Sequence, residues 1–227
     1  MDALLRRRQM MLAGGTPPSP SGPIPVDYIE TDGVAYINTG IKGNAPMSSK
    51  IQVVPVAHAS GNNYVCGARK DSGNTRLVFL VIASGKTAGP GYANGLYSTD
   101  VDVSASIDNG TLMMVQTALK AGDQDFYVKQ AGESSYTSKS HAATGTITTG
   151  RDIFVLALNN QGNASVSASG TKVKTVQLFS DFSFSNLVFD AYACYYNGEY
   201  GMWDNISNSF FGNAAGSGEF TGPSINQ

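Results

Sequence analysis

Few side chains in this sequence are placed to do covalent or acid–base chemistry. Cleaving a glycosidic bond takes two carboxyl groups, one on each side of it, and the chain has four glutamates, Glu30, Glu133, Glu199 and Glu219. Of these, Glu30 alone stands two positions from another acid, in Glu30-Thr31-Asp32. His58 and His141 have no serine elbow or paired acid beside them, so neither a hydrolase triad nor a histidine-held metal is supported. Asp100-Val101-Asp102 and Asp123-Gln124-Asp125 are the acid pairs able to offer oxygen ligands to calcium. They lack EF-hand spacing, and acids in turns more often bond their own backbone. The expectation is a non-enzyme with no catalytic residue, no bound metal and no cofactor, calcium being the one ion the pattern leaves open.

Holding a sugar asks for less: aromatic faces to stack on pyranose rings, with amide, carboxylate or backbone groups nearby for the hydroxyls. Tyr195-Tyr196-Asn197-Gly198 is the best placed stretch, because Asn-Gly marks a tight turn and presents the tyrosine beside it. Tyr92 and Tyr97 are further candidates, whereas the single tryptophan, Trp203, is expected to pack into the core. A different kind of contact is offered by Leu4, Leu5, Arg6, Arg7, Arg8, Met10 and Met11. Apolar residues recur there at helical spacing around three arginines, which suits either an arm anchored on an assembly partner or a free tail.

These candidates need elements to hold them. Charged residues make up 14% of the 227 residues, against about 25% in ordinary domains, so long ion-pair ladders on helix surfaces are unavailable. A net charge of −2 supplies no positive field for nucleic acid, and no apolar run approaches the ~18 residues of a membrane span. Two distant cysteines, Cys66 and Cys194, read as small buried hydrophobes and not as a disulfide framework. The apolar stretch after Arg8 is shorter than a signal-peptide core, so the N-terminus is expected to be uncleaved. Residues 1–15 read as an arm with one short helix over 2–13, and residues 16–25, with five prolines, as a stiff linker.

From Val26 the period changes to two. Residues 49–57, 75–82, 111–119, 125–130, 152–158, 172–179 and 186–194 alternate or run apolar as strands do. Lys42-Gly43-Asn44, Asn159–Asn163 and Ser169-Gly170 are turn signals, and Pro55 marks an edge strand or a bulge. Short strands with glycine-rich turns and no helices between them predict antiparallel sheets packed face to face over residues 26–227.

Both ends of that domain carry a recognisable pattern. Asp27-Tyr28-Ile29-Glu30 followed by Ala35-Tyr36-Ile37-Asn38-Thr39-Gly40-Ile41 opens it, Cys66-Gly67-Ala68-Arg69 lies within it, and Tyr200-Gly201-Met202-Trp203-Asp204 through Ser209-Phe210-Phe211-Gly212 to Glu219-Phe220-Thr221-Gly222 closes it. The chain resembles the concanavalin A-like, laminin-G-like β-sandwich domains of phage virion proteins and gut-bacterial surface proteins. That resemblance implies a jelly-roll sandwich of two antiparallel sheets. It also implies a virion component, a capsid decoration, head fibre or tail part, that displays the sandwich for adhesion to host-surface glycans. Such proteins are homo-oligomers, often trimers, and the arm would join other virion proteins, with no nucleic acid or membrane as partner. The alternative is a surface adhesin of a gut bacterium. A laminarinase-type glucanase is the third reading; those enzymes carry Glu-x-Asp-x-x-Glu on one strand, and here Ala35 stands in the last position.

Overall fold

The computed structural model describes residues 22–56, 61–70, 75–83, 87–92, 95–96, 105–108, 110–141 and 147–225, without the side chains of residues 87, 92, 95, 96, 105, 106 and 141. Alternation is visible directly in burial: along Asp123–Lys129 every second residue is buried, which is what a sheet with one wet face requires. The N-terminal arm, with Leu4 to Met11 and the expected helix, lies outside the described residues, as do Tyr97, His58, Asp100 and Asp102.

In chain order the strands are β1 (Ile24–Pro25), β2 (Ile29–Thr31), β3 (Ile37–Asn44), β4 (Met47–Val54), β5 (Asn62–Arg69), β6 (Arg76–Ala83), β7 (Thr87–Tyr92), β8 (Gly95–Leu96), β9 (Ala105–Ser106) and β10 (Met113–Lys120). They continue as β11 (Asp123–Gln130), β12 (Thr137–His141), β13 (Thr148–Val155), β14 (Ala157–Asn160), β15 (Asn163–Val166), β16 (Lys172–Phe179), β17 (Leu187–Tyr196), β18 (Glu199–Asp204), β19 (Ser209–Phe211) and β20 (Phe220–Thr221). No helix occurs among the described residues. One sheet runs β12-β11-β10-β4-β16-β17-β18-β19, with β1 on β17 and β2 bridging β16 to β20. The second runs β15-β14-β5-β6-β7-β8, with β13 between β3 and β5 and β9 on β7. The chain is thus an all-β sandwich of two sheets, as the period-two segments predict.

Between the sheets Ile51, Val115, Leu178 and Phe189 meet Ile37, Leu77, Phe79 and Ile153 in one apolar cluster. Each such side chain contributes roughly 1.5–3 kcal/mol relative to exposure. Six consecutive residues of β6, Leu77 to Ile82, are buried, because Val78 and Val81 pack on the opposite face with Leu158 and Tyr64. Gly67 admits that closeness: a Cβ there would stand 2.8 Å from the Leu77 carbonyl oxygen and the Val78 Cα. Cys66 and Cys194 are free and buried. Desolvation pushes both thiols up, Cys194 to about 12.

Four local expectations change. Pro55 marks no edge, since β4 is interior between β10 and β16; the strand simply ends at Val54, before the residue without an N–H. Lys42-Gly43-Asn44 is no turn but the end of β3, where Lys42 lies opposite Asp152 and binds it at 2.6 Å. Ile24 and Pro25, at the end of the proline-rich segment, already pair with Tyr195 and Cys194, on a flank where a proline costs no ladder bond. The sheets are not wholly antiparallel, because β14 runs parallel to β5 after the chain reverses at Leu156, a residue with φ of 61°.

Candidate functional site

The Tyr195-Tyr196-Asn197-Gly198 stretch forms a hairpin. Asn197 and Gly198 both take positive φ, 52° and 92°, the conformation that lets a two-residue turn follow the twist of its strands. The register then sets Tyr195 opposite Tyr200 and Tyr196 opposite Glu199. Neighbouring side chains on a strand point to opposite faces, so the two tyrosines part company. Tyr195 meets Tyr200 edge to face with centroids 5.0 Å apart. Tyr196 meets Trp203 at 5.5 Å on the other side.

Tyr200 is held rigidly. Its hydroxyl donates to the Pro223 carbonyl at 2.7 Å, and its ring lies so close to Gly222 that a Cβ there would come within 2.5 Å of it. Facing the tyrosines is the segment between β19 and β20, and two side chains shape it. Asn213 donates through Nδ2 to the carbonyls of Ser217 and Gly218, at 2.9 and 3.0 Å, and accepts from the Ala215 and Tyr36 amides. Asp32 accepts from the amides of Val34, Ala35 and Glu219 at 2.8 to 2.9 Å. Burial alone would raise the Asp32 carboxyl, but the backbone donors outweigh it and hold the group below the usual carboxylate range.

Between the tyrosine pair and this braced segment lies an open groove of about 790 Å³. Tyr195, Tyr200, Asn213, Glu199 and Glu219 line it together with the backbone of residues 216–218. Glu199 and Glu219 are exposed, and no lysine, arginine or histidine stands among the lining residues. Aromatic carbon on one side, with fixed backbone carbonyls and the exposed Glu219 carboxylate on the other, can stack a sugar ring and bond its hydroxyls.

The opposite face of the hairpin carries a second cluster. Trp203 lies beside Tyr192 on β17 and Phe210 on β19, and Tyr196 touches Phe210 at 5.5 Å. Trp203 is therefore half-buried on the outer face of the sheet, not in the core, because Met202 takes the inward position. Next to it runs a fixed polar row: the Gln177 Nε2 donates to Asp190 at 2.9 Å, and the Asn205 Nδ2 to its other oxygen at 3.0 Å.

The remaining candidates scatter. Tyr92 is on β7 in the other sheet, where its backbone pairs with Leu77, so the structure does not bring it to Tyr195. Glu30 faces Lys172 at 3.4 Å, and with Asp32 fully engaged the partial acid motif is structural. Asp123 pairs with Lys120 at 3.7 Å, while Asp125 accepts from the Ser140 hydroxyl. No group of three potential metal ligands occurs among the described residues. Sequence reasoning did not pair Tyr200 with Tyr195, although the Asn-Gly turn already fixes the two opposite each other. It also missed Asn213, Glu219 and the bracing role of Asp32, for which no local signal exists.

No family model matches the chain, and no curated protein matches it in sequence. Solved structures resemble it only distantly. The carbohydrate-binding module CBM40 of the Ruminococcus gnavus IT-sialidase, bound to α2,3-sialyllactose, aligns at 13% identity and a TM-score of 0.45, over 71% of this chain and 91% of that one. The bacteriophage CBA120 tailspike protein 2 aligns at 13% and 0.44, over 74% and 30%. A SAP-like pentraxin of Limulus polyphemus aligns at 14% and 0.41, over 73% and 74%.

Proposed function

We propose that this chain is a non-enzymatic glycan-binding protein whose site is the groove between the Tyr195–Tyr200 pair and the 213–219 segment. The observation that carries the reading is the fixed tyrosine pair facing a wall of immobilised backbone groups. Prearranged groups lose little freedom on binding, which suits a ligand that offers many weak hydroxyl contacts. A glycosidase keeps one carboxyl in an apolar setting as proton donor; Glu199 and Glu219 are both exposed, which supports binding without turnover. A glycan array with the full-length protein, its Tyr195→Ala variant and its Trp203→Ala variant tests this. Binding by the parent and by Trp203→Ala, but not by a folded Tyr195→Ala, is the expected outcome. Binding that disappears with Trp203 alone moves the site to the outer face of the sheet.

The wider setting follows the sequence: a virion component that displays the sandwich, with the basic arm seated on other virion proteins and homo-oligomers as the working form. A chain lacking residues 1–22 keeps every strand of the described residues, since the first of these, β1, starts at Ile24. That chain is expected to fold and to fail to enter particles. If it enters them normally, the arm is no anchor, and the surface-adhesin alternative gains.

A further inference from the structure

The outer face of the larger sheet carries an aromatic patch that the groove does not use. Along β17, Ala191 and Ala193 point into the core, so Tyr192 and Tyr196 point out, and the register lines Tyr192 up with Trp203 on β18 and Phe210 on β19. Tyr196 completes the patch, 5.5 Å from the rings of Trp203 and Phe210. All four residues are half-buried and keep part of their surface open. The Trp203 Nε1–H and the hydroxyls of Tyr192 and Tyr196 have no hydrogen-bond partner among the described residues. An apolar ligand rich in acceptors suits such a face.

The chain itself supplies one beside it. β1 runs antiparallel to β17, with Ile24 opposite Tyr195 and Pro25 opposite Cys194, so the residues before Ile24 reach the sheet near Tyr196 and the tip of the β17–β18 hairpin. Those residues are Thr16-Pro17-Pro18-Ser19-Pro20-Ser21-Gly22-Pro23, of which 16–21 lie outside the described residues. An extended proline helix makes one turn in three residues, about 9 Å, which sets Pro17, Pro20 and Pro23 on one side of it. Such a helix bonds none of its carbonyls internally, and surfaces lined with aromatic rings are where it docks. Gly22, with nothing within 4 Å of where a Cβ would stand, has room for the reversal that folds residues 16–21 back over the sheet. The reach suffices. Pro20 lies at most about 10 Å from Pro23 and Pro17 about 9 Å further on, against about 13 Å from Tyr196 to Tyr192 along β17.

We propose that this patch is a polyproline dock and that its occupant is residues 16–21 of the same chain, the Pro17 and Pro20 rings lying on either side of Trp203 and the indole N–H donating to a carbonyl between them. The linker is then a strap laid on the domain, and the arm of residues 1–15 leaves from a fixed point, available to its own partner. The groove and its ligand do not enter this inference.

Trp203 is the only tryptophan in the chain, so its emission reads the dock directly. Acrylamide should quench it about twofold or more less efficiently in the full-length protein than in the Pro17→Gly, Pro20→Gly double variant, which requires the strap to be docked at least about half of the time. Both substitutions lie outside the strands of the described residues, and unchanged amide shifts across the second sheet will show that the fold is intact. Equal quenching overturns the dock. The occupant is identified with a nitroxide on the variant Ser19→Cys, since Cys66 and Cys194 are buried and only the introduced thiol reacts. The label should broaden the Trp203 Nε1–H and the amides of Tyr192 and Phe210 while sparing Val78 in the second sheet. Broadening found only when tagged chains are mixed with untagged, isotope-enriched ones assigns the dock to a second copy, and no broadening assigns it to another occupant. Either result overturns the strap.

Discussion

Single carboxylates hold this surface together. Asp204, 2% exposed, accepts from the Asp190, Ile206 and Ser207 amides and from the Ser207 hydroxyl. Burial would raise its pKa, yet the Ser207 hydroxyl and these amides more than offset it, so the carboxyl is held below its ordinary value. The sign follows: an acid whose folded pKa is depressed stabilises the fold above its unfolded value and ceases to as pH falls through the folded one. Asp32 shares that direction, so thermal stability should be level near neutrality and decline below about pH 4. Asp204→Ala leaves three amides without their acceptor and should cost about 2–3 kcal/mol, read as a lowered denaturant midpoint with unchanged slope. A smaller change probes the groove. Gly222→Ala forces a methyl against the Tyr200 ring; it should cost about 1–3 kcal/mol and weaken sugar binding by displacing that ring from Tyr195. A fully stable Gly222→Ala would show that the ring yields freely and that Tyr200 is not fixed.

At the scale of elements, the β17–β18 hairpin decides which aromatics share a face. Its turn places Gly198 at φ 92°, where a side chain costs about 1–3 kcal/mol; Gly198→Ala should lower the melting temperature and broaden the Tyr195 and Tyr200 resonances together. Gly67→Ala strikes another pairing. Its Cβ would meet backbone of β6 rather than a movable side chain, so β5 and β6 must separate, and the loss should exceed that of Gly198→Ala. The hairpin also shows what was legible in the sequence. Alternating apolar residues disclosed β4, β10, β11, β16 and β17 to within a few positions, because a half-buried strand writes its period into composition. Asn197-Gly198 disclosed the turn; the register that follows from it sets Tyr200 opposite Tyr195, a pairing the sequence reading did not draw. Asp32 and Glu219, 187 positions apart, left no such trace, since only the sandwich's closure brings β2 beside β20. The inward placement expected of Trp203 failed for a related reason: composition says that a strand has two faces, and only the register says which one is wet.

For the whole molecule, two sheets closed without a disulfide place a braced groove beside one hairpin, and the proposed function is recognition without turnover. Prolonged incubation with oligosaccharides should therefore release no new reducing ends above a buffer control; steady release would make Glu199 and Glu219 a catalytic pair. The most direct test of the account is amide chemical-shift mapping of the full-length protein with a glycan that it binds on the array. The account predicts saturable shifts gathered at residues 195–200 and 213–221, with the amides of Tyr192 and Phe210 unmoved. Shifts confined to Tyr192, Trp203 and Phe210, or none at all, would contradict it.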